Sequence, residues 1–371
     1  MSQLKVNTIR HTGASSDAIT LASDGTATAK ITNNLSNRNL IINGAMQVAQ
    51  RATSKTGIGG SAVEYSTVDR WYIYSANTAG RHTETQESDG PAGFANSMKF
   101  ACTTADTSIA SNELFLIGTK LEGQDLQQIK KGTSDAEKLV LSFHVKGNAN
   151  ATYMCAVLDL DNGRMSTKQF AVTSSWNKIT IAIPADTTGA FDDDNANSLA
   201  VFFYLHGGSD FTGGTYTAST WQTSTDANRA VGISSFFDST SRTFQFTGMQ
   251  LEIDQGSGVA TDFEHRSYGD ELARCQRYYQ KAWVYTYTGT TGSNGKFYES
   301  VQFKPEMRAA PTLAADYDTN NENDFETRTG ASWDTTTPVL VIAQEEGASL
   351  SSGSTNNFNF MKGIAHFSAE L

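Results

Sequence analysis

The sequence predicts a mainly β fold, in which an antiparallel jelly-roll sandwich is followed by a short helix and a second C-terminal β domain, with an extended N-terminal segment. Runs of alternating apolar and polar residues recur between turn clusters. Proline is rare, at 5 residues, whereas glycine reaches 31, a composition typical of short strands joined by turns. Because 371 residues exceed the usual size of one core, we expect two domains and a small terminal piece.

Residues 1–36 form the N-terminal segment. Their apolar residues are sparse and are separated by Gly13 and by Asp24-Gly25. A segment of this kind is too small to bury a core. We therefore expect it to pair with other chains or to remain flexible.

Residues 37–266 are predicted to form the sandwich. The alternation is clearest at 139–146, 178–183 and 199–206. Gly248 interrupts the last strand and is predicted to be a β-bulge, which would switch the inward face from one set of alternate positions to the other. The residues that face inward after this bulge would be Met249, Leu251 and Ile253.

A helix is predicted over 267–282, because Ser267 and Asp270 have the spacing of a capping box. Apolar residues at helical spacing would form one face: Leu272, Cys275, Tyr279 and Ala282. This face has two interpretations, since it can pack on the sandwich of its own chain or line a threefold axis with two other copies. Residues 283–371 are predicted to form the second β unit.

Two blocks of sequence carry a family resemblance. The first, at 249–280, reads MQLEIDQGSGVATDFEHRSYGDELARCQRYYQ, and the second joins NLIINGAMQVAQRATS at 39–54 to YSTVDRW at 65–71. Both resemble bacteriophage tail fibre and tail-tip receptor-binding proteins, in which a QLE strand, an ATDFEH-like loop and a CQRYY helix close a jelly-roll sandwich. FKPEMRAAPT at 303–312 and the terminal SAEL resemble the trimeric C-terminal domains of that family.

The resemblance implies a homotrimer located in the virion tail and assembled in the cytoplasm of the host bacterium. Residues 1–36 would attach it to phage tail or adaptor proteins. The sandwich would resemble a carbohydrate-binding module and bind a bacterial surface polysaccharide. The helix at 267–282 would lie on the trimer axis, and 283–371 would form the tip.

Two loops have the composition of a sugar site, which combines aromatic rings with polar groups at the ring edge. The loop at 207–224 contains Phe211, Tyr216 and Trp221, and the loop at 316–334 contains Tyr317, Phe325 and Trp333. Each loop also has a structural interpretation. Trp221 could plug the end of the sandwich, and the acidic second loop could be a solvated or intersubunit connection.

Charge and composition exclude several classes of partner. A net charge of −11 argues against nucleic acid and anionic membranes, which both require a basic face. No apolar run approaches the roughly 20 residues that cross a bilayer, and the N-terminus lacks a secretory apolar core. The scattered cysteines, Cys102, Cys155 and Cys275, favour free thiols over a metal cage.

No catalytic residue, cofactor or metal ligand set is expected, because the chain has no GxSxG, phosphate-loop or dinucleotide motif. As possible catalytic acids, Asp159 and Asp161 flank a turn and Asp192 to Asn195 form a loop run, neither of which differs from ordinary turn residues. As possible calcium ligands, Asp161-Asn162-Gly163 and Asp192 to Asn195 lack the complete set of oxygen atoms that calcium needs. A structural divalent cation remains an open alternative. Two other functions also remain open: a structural tail adaptor or collar without receptor contact, and a polysaccharide depolymerase.

Overall fold

The computed structural model describes residues 5–25, 27–29, 37–254, 256, 258–287, 296–313, 325–329, 332–336, 338–353 and 360–371. Within these residues three β units follow one another: a small N-terminal sheet, a large sandwich and a C-terminal unit. The predicted mainly β, antiparallel jelly-roll fold class is confirmed.

The N-terminal sheet is a meander of three short strands, β1 (Thr8–Ile9), β2 (Ile19–Leu21) and β3 (Ala27–Ala29). No residue over 5–25 is buried, and Ile9 is 51% exposed. A sheet of this size has too little apolar surface to be stable alone. This agrees with the expectation that the segment has no core of its own.

The sandwich consists of a six-stranded and a seven-stranded antiparallel sheet. In chain order its strands are β4 (Ser54–Gly59), β5 (Val63–Glu64), β6 (Tyr72–Ala76), β7 (Arg81–Glu87), β8 (Ser97–Thr104), β9 (Leu114–Glu122), β10 (Leu139–Gly147), β11 (Ala151–Asp159), β12 (Arg164–Val172), β13 (Asn177–Ile183), β14 (Asn197–Gly207), β15 (Gln222–Thr223) and β16 (Thr243–Ile253). The six-stranded sheet has the order β13-β10-β16-β8-β7-β4, and the seven-stranded sheet has the order β15-β12-β11-β14-β9-β6-β5. The chain crosses repeatedly between the sheets, as in a jelly roll.

Side chains from the inner faces of the two sheets meet in one apolar core. The rings of Phe143 and Phe203 lie 4.7 Å apart between centroids, and Trp71 stands edge-on to Phe246 at 4.9 Å. Alternate residues of each strand enter this core because side chains in a strand alternate between faces. The alternation in the sequence therefore identifies the core correctly.

The predicted bulge at Gly248 is confirmed. Gly248 has a φ of 66°, and the pairing of β10 with β16 shifts register between Ser142 and His144. Phe246 before the bulge and Met249 after it both belong to the core. The extra residue thus changes which alternate positions point inward.

The seven-stranded sheet is covered on both faces. On β14, Val201 and Phe203 face the inner core, whereas Phe202 and Tyr204 belong to a second apolar cluster on the outer face. The short helix α1 (Ser209–Thr212) begins a segment that crosses this outer face. Single 3-10 turns occur at Gly123–Asp125, Gln127–Ile129, Asp226–Asn228 and Phe236–Asp238.

The helix after the sandwich is shorter than predicted. Helix α2 spans Tyr268–Gln276, and Ser267 Oγ accepts a hydrogen bond from Asp270 N at 3.2 Å, which confirms the predicted start. The predicted end at 282 was wrong, because Tyr279 and Ala282 lie in strand β17 (Tyr279–Tyr287). The aromatic residues in this stretch favour a strand, and pairing with the last strand of the chain overrides their helical spacing. No helix among the described residues is long and apolar enough to span a bilayer.

The four residues predicted to line a trimer axis do not share a helical face. Cys275 and Tyr279 are 0% exposed within their own chain, Leu272 is half-buried, and Ala282 packs against the C-terminal core. The helix packs on the sandwich of the same chain, where Glu271 accepts a hydrogen bond from the backbone N–H of Asn43. Cys275 and Tyr279 are therefore not accessible to another copy, and the prediction that they line a trimer axis is corrected on this point. The trimer itself stays a prediction.

The C-terminal unit contains two antiparallel sheets. Its further strands are β18 (Lys296–Gln302), β19 (Thr312–Leu313), β20 (Phe325–Thr329), β21 (Ser332–Thr336), β22 (Pro338–Ala343), β23 (Gly347–Gly353) and β24 (Phe360–Ser368). One sheet has the order β17-β24-β20-β21, with β19 also paired to β24, and the other has the order β18-β23-β22. Phe303 and Phe367, with ring centroids 4.8 Å apart, lie in its small core.

A buried network, here named the junction, links the sandwich to the C-terminal unit: Arg51, Arg70, Tyr278, Tyr279 and Glu370. The guanidinium carbon of Arg70 lies 3.4 Å from the centroid of the Tyr278 ring, and Arg70 forms an ion pair with Glu370. Arg51 lies 3.8 Å from the centroid of the Tyr279 ring and 3.1 Å from the Glu370 carboxylate. Burial alone would lower the pKa of Arg70, but the charge on Glu370 raises it above its ordinary value.

Replacing Glu370 with Gln is expected to lower the free energy of unfolding by about 3 kcal/mol or more. The guanidinium of Arg70, only 2% exposed, would lose its counter-charge, and a buried charge without a partner is strongly destabilising. Urea denaturation of the full chain measures the change. Glu346→Gln is the control, because Glu346 is exposed on the same unit. Equal stability of the two variants would contradict the role of this ion pair.

A second buried carboxyl group, Glu84 on β7, is 0% exposed in the sandwich. One of its oxygens accepts a hydrogen bond from the Thr67 hydroxyl, and the other has no hydrogen-bond partner among the described residues. Burial raises the pKa of Glu84 to about 7, and the hydrogen bond from Thr67 only partly offsets this rise. The folded protein therefore keeps a proton that the unfolded chain releases near its ordinary pKa of 4.5.

Glu84→Gln is expected to flatten the dependence of stability on pH. The contribution of Glu84 is complete below pH 4.5 and is lost as the pH rises through about 7, a loss of up to about 3 kcal/mol, whereas Gln has no proton to release. Unfolding free energies of both proteins measured across this window test the difference. Glu87→Gln, on the exposed end of the same strand, is the control. Parallel profiles for wild type and Glu84→Gln would contradict the prediction.

Candidate functional site

The structure separates the three aromatic residues predicted in the loop at 207–224. Phe211, in α1, and Tyr216 pack on the outer face of the seven-stranded sheet, where the Tyr216 hydroxyl accepts a hydrogen bond from Gln169 N at 3.1 Å. Trp221 instead packs at the edge of the inner core, and its Nε1 donates to Pro184 O at 2.8 Å. These contacts agree with the interpretation of Trp221 as a plug of the sandwich end.

The second predicted loop, at 316–334, is partly a β-hairpin. Tyr317 lies outside the described residues. Phe325 lies in β20 opposite Thr336, and Trp333 lies in β21 opposite Arg328. The prediction of a loop was therefore wrong for these two residues, because their aromatic and threonine-rich neighbours favour paired strands.

A row of aromatic rings crosses the outer side of the seven-stranded sheet. We name it the aromatic face and define it by Tyr65, Tyr72, Tyr74, Phe202 and Tyr204. Ring centroids are 5.7 Å apart for Tyr65 and Tyr72, 5.6 Å for Tyr72 and Phe202, and 6.4 Å for Phe202 and Tyr204. These spacings place neighbouring rings in direct contact across strands β6 and β14.

The strand between β6 and β14 makes this arrangement possible. Gly118 of β9 lies opposite both Tyr72 and Phe202, and a Cβ at Gly118 would overlap the Phe202 ring. The missing side chain therefore lets Phe202 and Tyr72 meet over β9. Tyr65 and Tyr74 are half-buried, so the β6 side of the aromatic face is the more open side.

Arg229, on the segment that crosses the outer sheet, lies near the aromatic face. Burial raises the pKa of Tyr72 and of Tyr204, and the positive charge of Arg229 opposes both rises, which places the guanidinium near both rings. The Arg229 side chain is 28% exposed and forms an ion pair with Asp226 at 2.8 Å. Among the described residues, Arg229 Nε and the Tyr204 hydroxyl have no hydrogen-bond partner.

Tyr72 and Phe202 are each 7% exposed and Tyr204 is 0% exposed, so among these rings the half-buried Tyr65 and Tyr74 are the ones that can offer surface to a ligand. Aromatic rings stack on the apolar side of a sugar, and guanidinium and carboxylate groups bind its hydroxyls. Sequence reasoning missed these residues. The alternation of Phe202 and Tyr204 with core residues does indicate a strand that is apolar on both faces. The position of Arg229 could not be predicted in this way, because it depends on packing between residues that are distant in sequence.

At one end of the sandwich, Lys131 provides a buried cation surrounded by oxygen atoms. Its Nζ lies 2.5 Å from Asp159 Oδ2 and 3.2 Å from Asp186 Oδ2, and it donates to the carbonyls of Thr188 and Gly189 at 2.7 Å. The side chain of Lys131 is 3% exposed and that of Asp159 is 0% exposed. The ammonium therefore supplies the counter-charge for the buried Asp159 and Asp186 carboxylates.

A cleft of about 410 Å³ opens beside Lys131. Its lining combines apolar and polar side chains: Leu126, Gln127, Lys130, Lys131, Thr133, Asp135, Ala190 and Phe191. The Lys131 ammonium lies 5.3 Å from the centroid of Phe191 and 5.7 Å from that of Trp221. Trp221 and the cleft therefore share the end of the sandwich that Lys131 stabilises.

No family model matches the chain, and no curated protein matches it. Similar solved structures include a CBM4 protein, at 11% identity over 57% of this chain and 98% of that chain, with a TM-score of 0.30. The family 11 carbohydrate-binding module of a Clostridium thermocellum cellulosomal cellulase is 15% identical over 52% of this chain and 97% of that chain, with a TM-score of 0.27.

A third similar structure is the enzymatically active domain of tailspike protein 4 from bacteriophage CBA120. It is 10% identical over 58% of this chain and 22% of that chain, with a TM-score of 0.29. Each of these likenesses covers little more than half of this chain at low identity. None of them indicates a ligand for it.

Lys131→Met is expected to destabilise the protein by about 3 kcal/mol or more, because the buried Asp159 carboxylate would lose its counter-charge. The free energy of unfolding in urea measures this effect. Lys130→Met is the matched control, since Lys130 is exposed and its ion pair with Glu137 contributes little. Equal midpoints for the two variants would contradict the structural role of Lys131.

Proposed function

We propose that the chain is a bacteriophage tail fibre protein, a homotrimer that attaches to the tail through residues 1–36 and binds a bacterial surface glycan without cleaving it. The aromatic face, with its half-buried Tyr65 and Tyr74 and the nearby Arg229, is the observation that carries the proposal of glycan binding. The assignment to a phage tail is supported by the resemblance of the blocks at 39–54, 65–71 and 249–280 to tail fibre proteins.

The residues that carry this resemblance contact one another across the chain. The Asn39 side chain donates to Met249 O at 2.9 Å, and its backbone N–H donates to the Glu264 carboxylate. Arg70 and Tyr278 meet in the junction. The residues that carry the resemblance therefore hold the parts of the protein together. They support an assembly like that of tail fibre proteins, and we expect the ligand to bind at other residues.

Glycan binding fits the chemistry of the aromatic face. The open side at Tyr65 and Tyr74 offers ring surface to the apolar side of a pyranose. The exposed part of the Arg229 guanidinium can donate to a sugar oxygen, and the Asp226 carboxylate, whose side chain is 64% exposed, can accept from a hydroxyl at the ring edge. The contacts are short in range, so they operate despite the net charge of −11, whose field is screened within about 8 Å at physiological salt.

Binding without cleavage is supported by the burial of one candidate acid, Asp159. Glycoside hydrolysis uses two carboxyl groups on either side of the scissile bond. Asp159 is 1% exposed and bound to Lys131, so its carboxylate is not accessible to a polysaccharide. A trimer would present three copies of one weak site, and their effective concentration would convert modest affinities into firm attachment.

Arg229→Ala and Tyr74→Ala are each expected to weaken binding to the host polysaccharide by roughly tenfold, since each removes a group that touches the sugar. Affinity electrophoresis through gels that contain capsular polysaccharide or lipopolysaccharide from candidate hosts measures this change. Tyr268→Ala is the matched control, because Tyr268 is 58% exposed on α2 and away from the aromatic face. Light scattering of the same samples checks that each variant keeps the mass of a trimer.

Equal retardation of Arg229→Ala, Tyr74→Ala and wild type would contradict binding at the aromatic face. Failure of the wild-type protein to bind any of these polysaccharides or intact cells would favour a structural adaptor or collar. Shortening of the polysaccharide during a long incubation would instead favour a depolymerase.

A further inference from the structure

We infer that Asp106, Glu113 and His206 form a binding site for one divalent transition-metal ion. Each residue offers one ligand atom, and these atoms all lie within 4.8 Å of one another. Asp106 follows β8, Glu113 precedes β9, and His206 lies near the end of β14. The three side chains therefore converge from separate strand ends.

Hydrogen bonds from neighbouring groups orient both carboxylates and leave one oxygen of each for the shared centre. Asp106 Oδ2 accepts from Thr78 Oγ1 at 2.8 Å and from Ala79 N at 2.7 Å. Glu113 Oε1 accepts from Ala110 N at 2.9 Å, while Oε2 lies 3.0 Å from His206 Nε2. Partners of this type characteristically hold metal-ligating carboxylates in position.

The outer nitrogen of His206 also has an orienting partner. His206 Nδ1 lies 2.8 Å from Ser235 Oγ, and this hydroxyl already accepts a hydrogen bond from Phe237 N at 3.1 Å. A proton on Nδ1 can use the second lone pair of Ser235 Oγ. With this tautomer the lone pair of His206 Nε2 faces the Glu113 oxygen at 3.0 Å, so both atoms can be ligands of one metal ion.

The charge of the cluster also favours a cation. Asp106 is 5% exposed, Glu113 is 4% exposed and His206 is 0% exposed. In the described part of the chain, no lysine or arginine nitrogen lies within 4.0 Å of either carboxylate, and His206 is a counter-charge for Glu113 only when its ring is protonated. Buried carboxylates without a counter-charge are strongly disfavoured.

One imidazole nitrogen and two carboxylate oxygens suit zinc or manganese better than calcium, which prefers an all-oxygen shell. Glu113 lies at one end of β9, and Glu122, which binds Arg277, lies at the other end. At ~3.3 Å per residue the proposed metal site is roughly 30 Å from the contact between Glu122 and Arg277. A bound ion would connect the segment between β8 and β9 to the end of β14. This inference replaces the expectation that the chain has no metal ligands.

The test uses the full chain, stripped with a chelator and titrated with zinc and then with manganese by calorimetry, with the melting temperature followed in parallel. We expect binding of one ion per chain and a higher melting temperature. Glu113→Gln is expected to lose this binding although it keeps its size and can still pair with His206. Ser235→Ala is expected to bind roughly 10- to 100-fold more weakly. His11→Gln, which removes an exposed histidine, is the control and should bind as wild type does.

Near-ultraviolet circular dichroism shows whether each stripped variant is folded. Metal binding that persists unchanged in a folded Glu113→Gln protein would overturn the inference, since the ion would then bind elsewhere. No heat and no change in melting temperature for the wild type at millimolar zinc or manganese would also overturn it. That result would identify the cluster as a proton-linked hydrogen-bond network.

Discussion

The structure depends most on the buried guanidinium of Arg70. It lies between the ring of Tyr278 and the carboxylate of Glu370, and it donates a further hydrogen bond to Lys120 O at 2.7 Å. Three parts of the chain that are distant in sequence therefore contribute to one contact. Because a buried cation is stable only with its partners in place, the sandwich, the strand after α2 and the end of the chain must assemble together.

The aromatic face begins next to this contact. The Tyr65 hydroxyl donates to Leu371 O at 2.9 Å, and Lys120, whose ammonium lies 4.8 Å from the centroid of Tyr72, donates to the same oxygen at 3.0 Å. The junction that fixes the C-terminal unit therefore also limits one edge of the proposed glycan surface. From there the aromatic rings continue across the sheet to Tyr204, which lies near Arg229. The junction and the proposed glycan surface thus share a scaffold, and Tyr65 takes part in both.

Features that depend on local pattern could be predicted from the sequence, whereas features that depend on distant partners could not. Alternation identified the strands and the core, and Gly248 marked the bulge, because both follow from the two-residue period of a strand. The helix was extended too far, since pairing with β24 decides that Tyr279 is in a strand. Arg229 near the aromatic face and Lys131 among carboxylates arise from contacts that no local spacing reveals. Aromatic content alone was a poor guide, because Trp221 serves the core.

Recognition of a surface glycan is the central claim, and binding of the labelled full chain to intact bacteria tests it most directly. A panel of strains would be compared before and after mild periodate oxidation, which destroys vicinal diols of sugars, and after protease treatment, which removes exposed surface proteins. A glycan receptor predicts that periodate abolishes binding and that protease leaves it unchanged. Binding that survives periodate but is lost after protease treatment would contradict a glycan receptor.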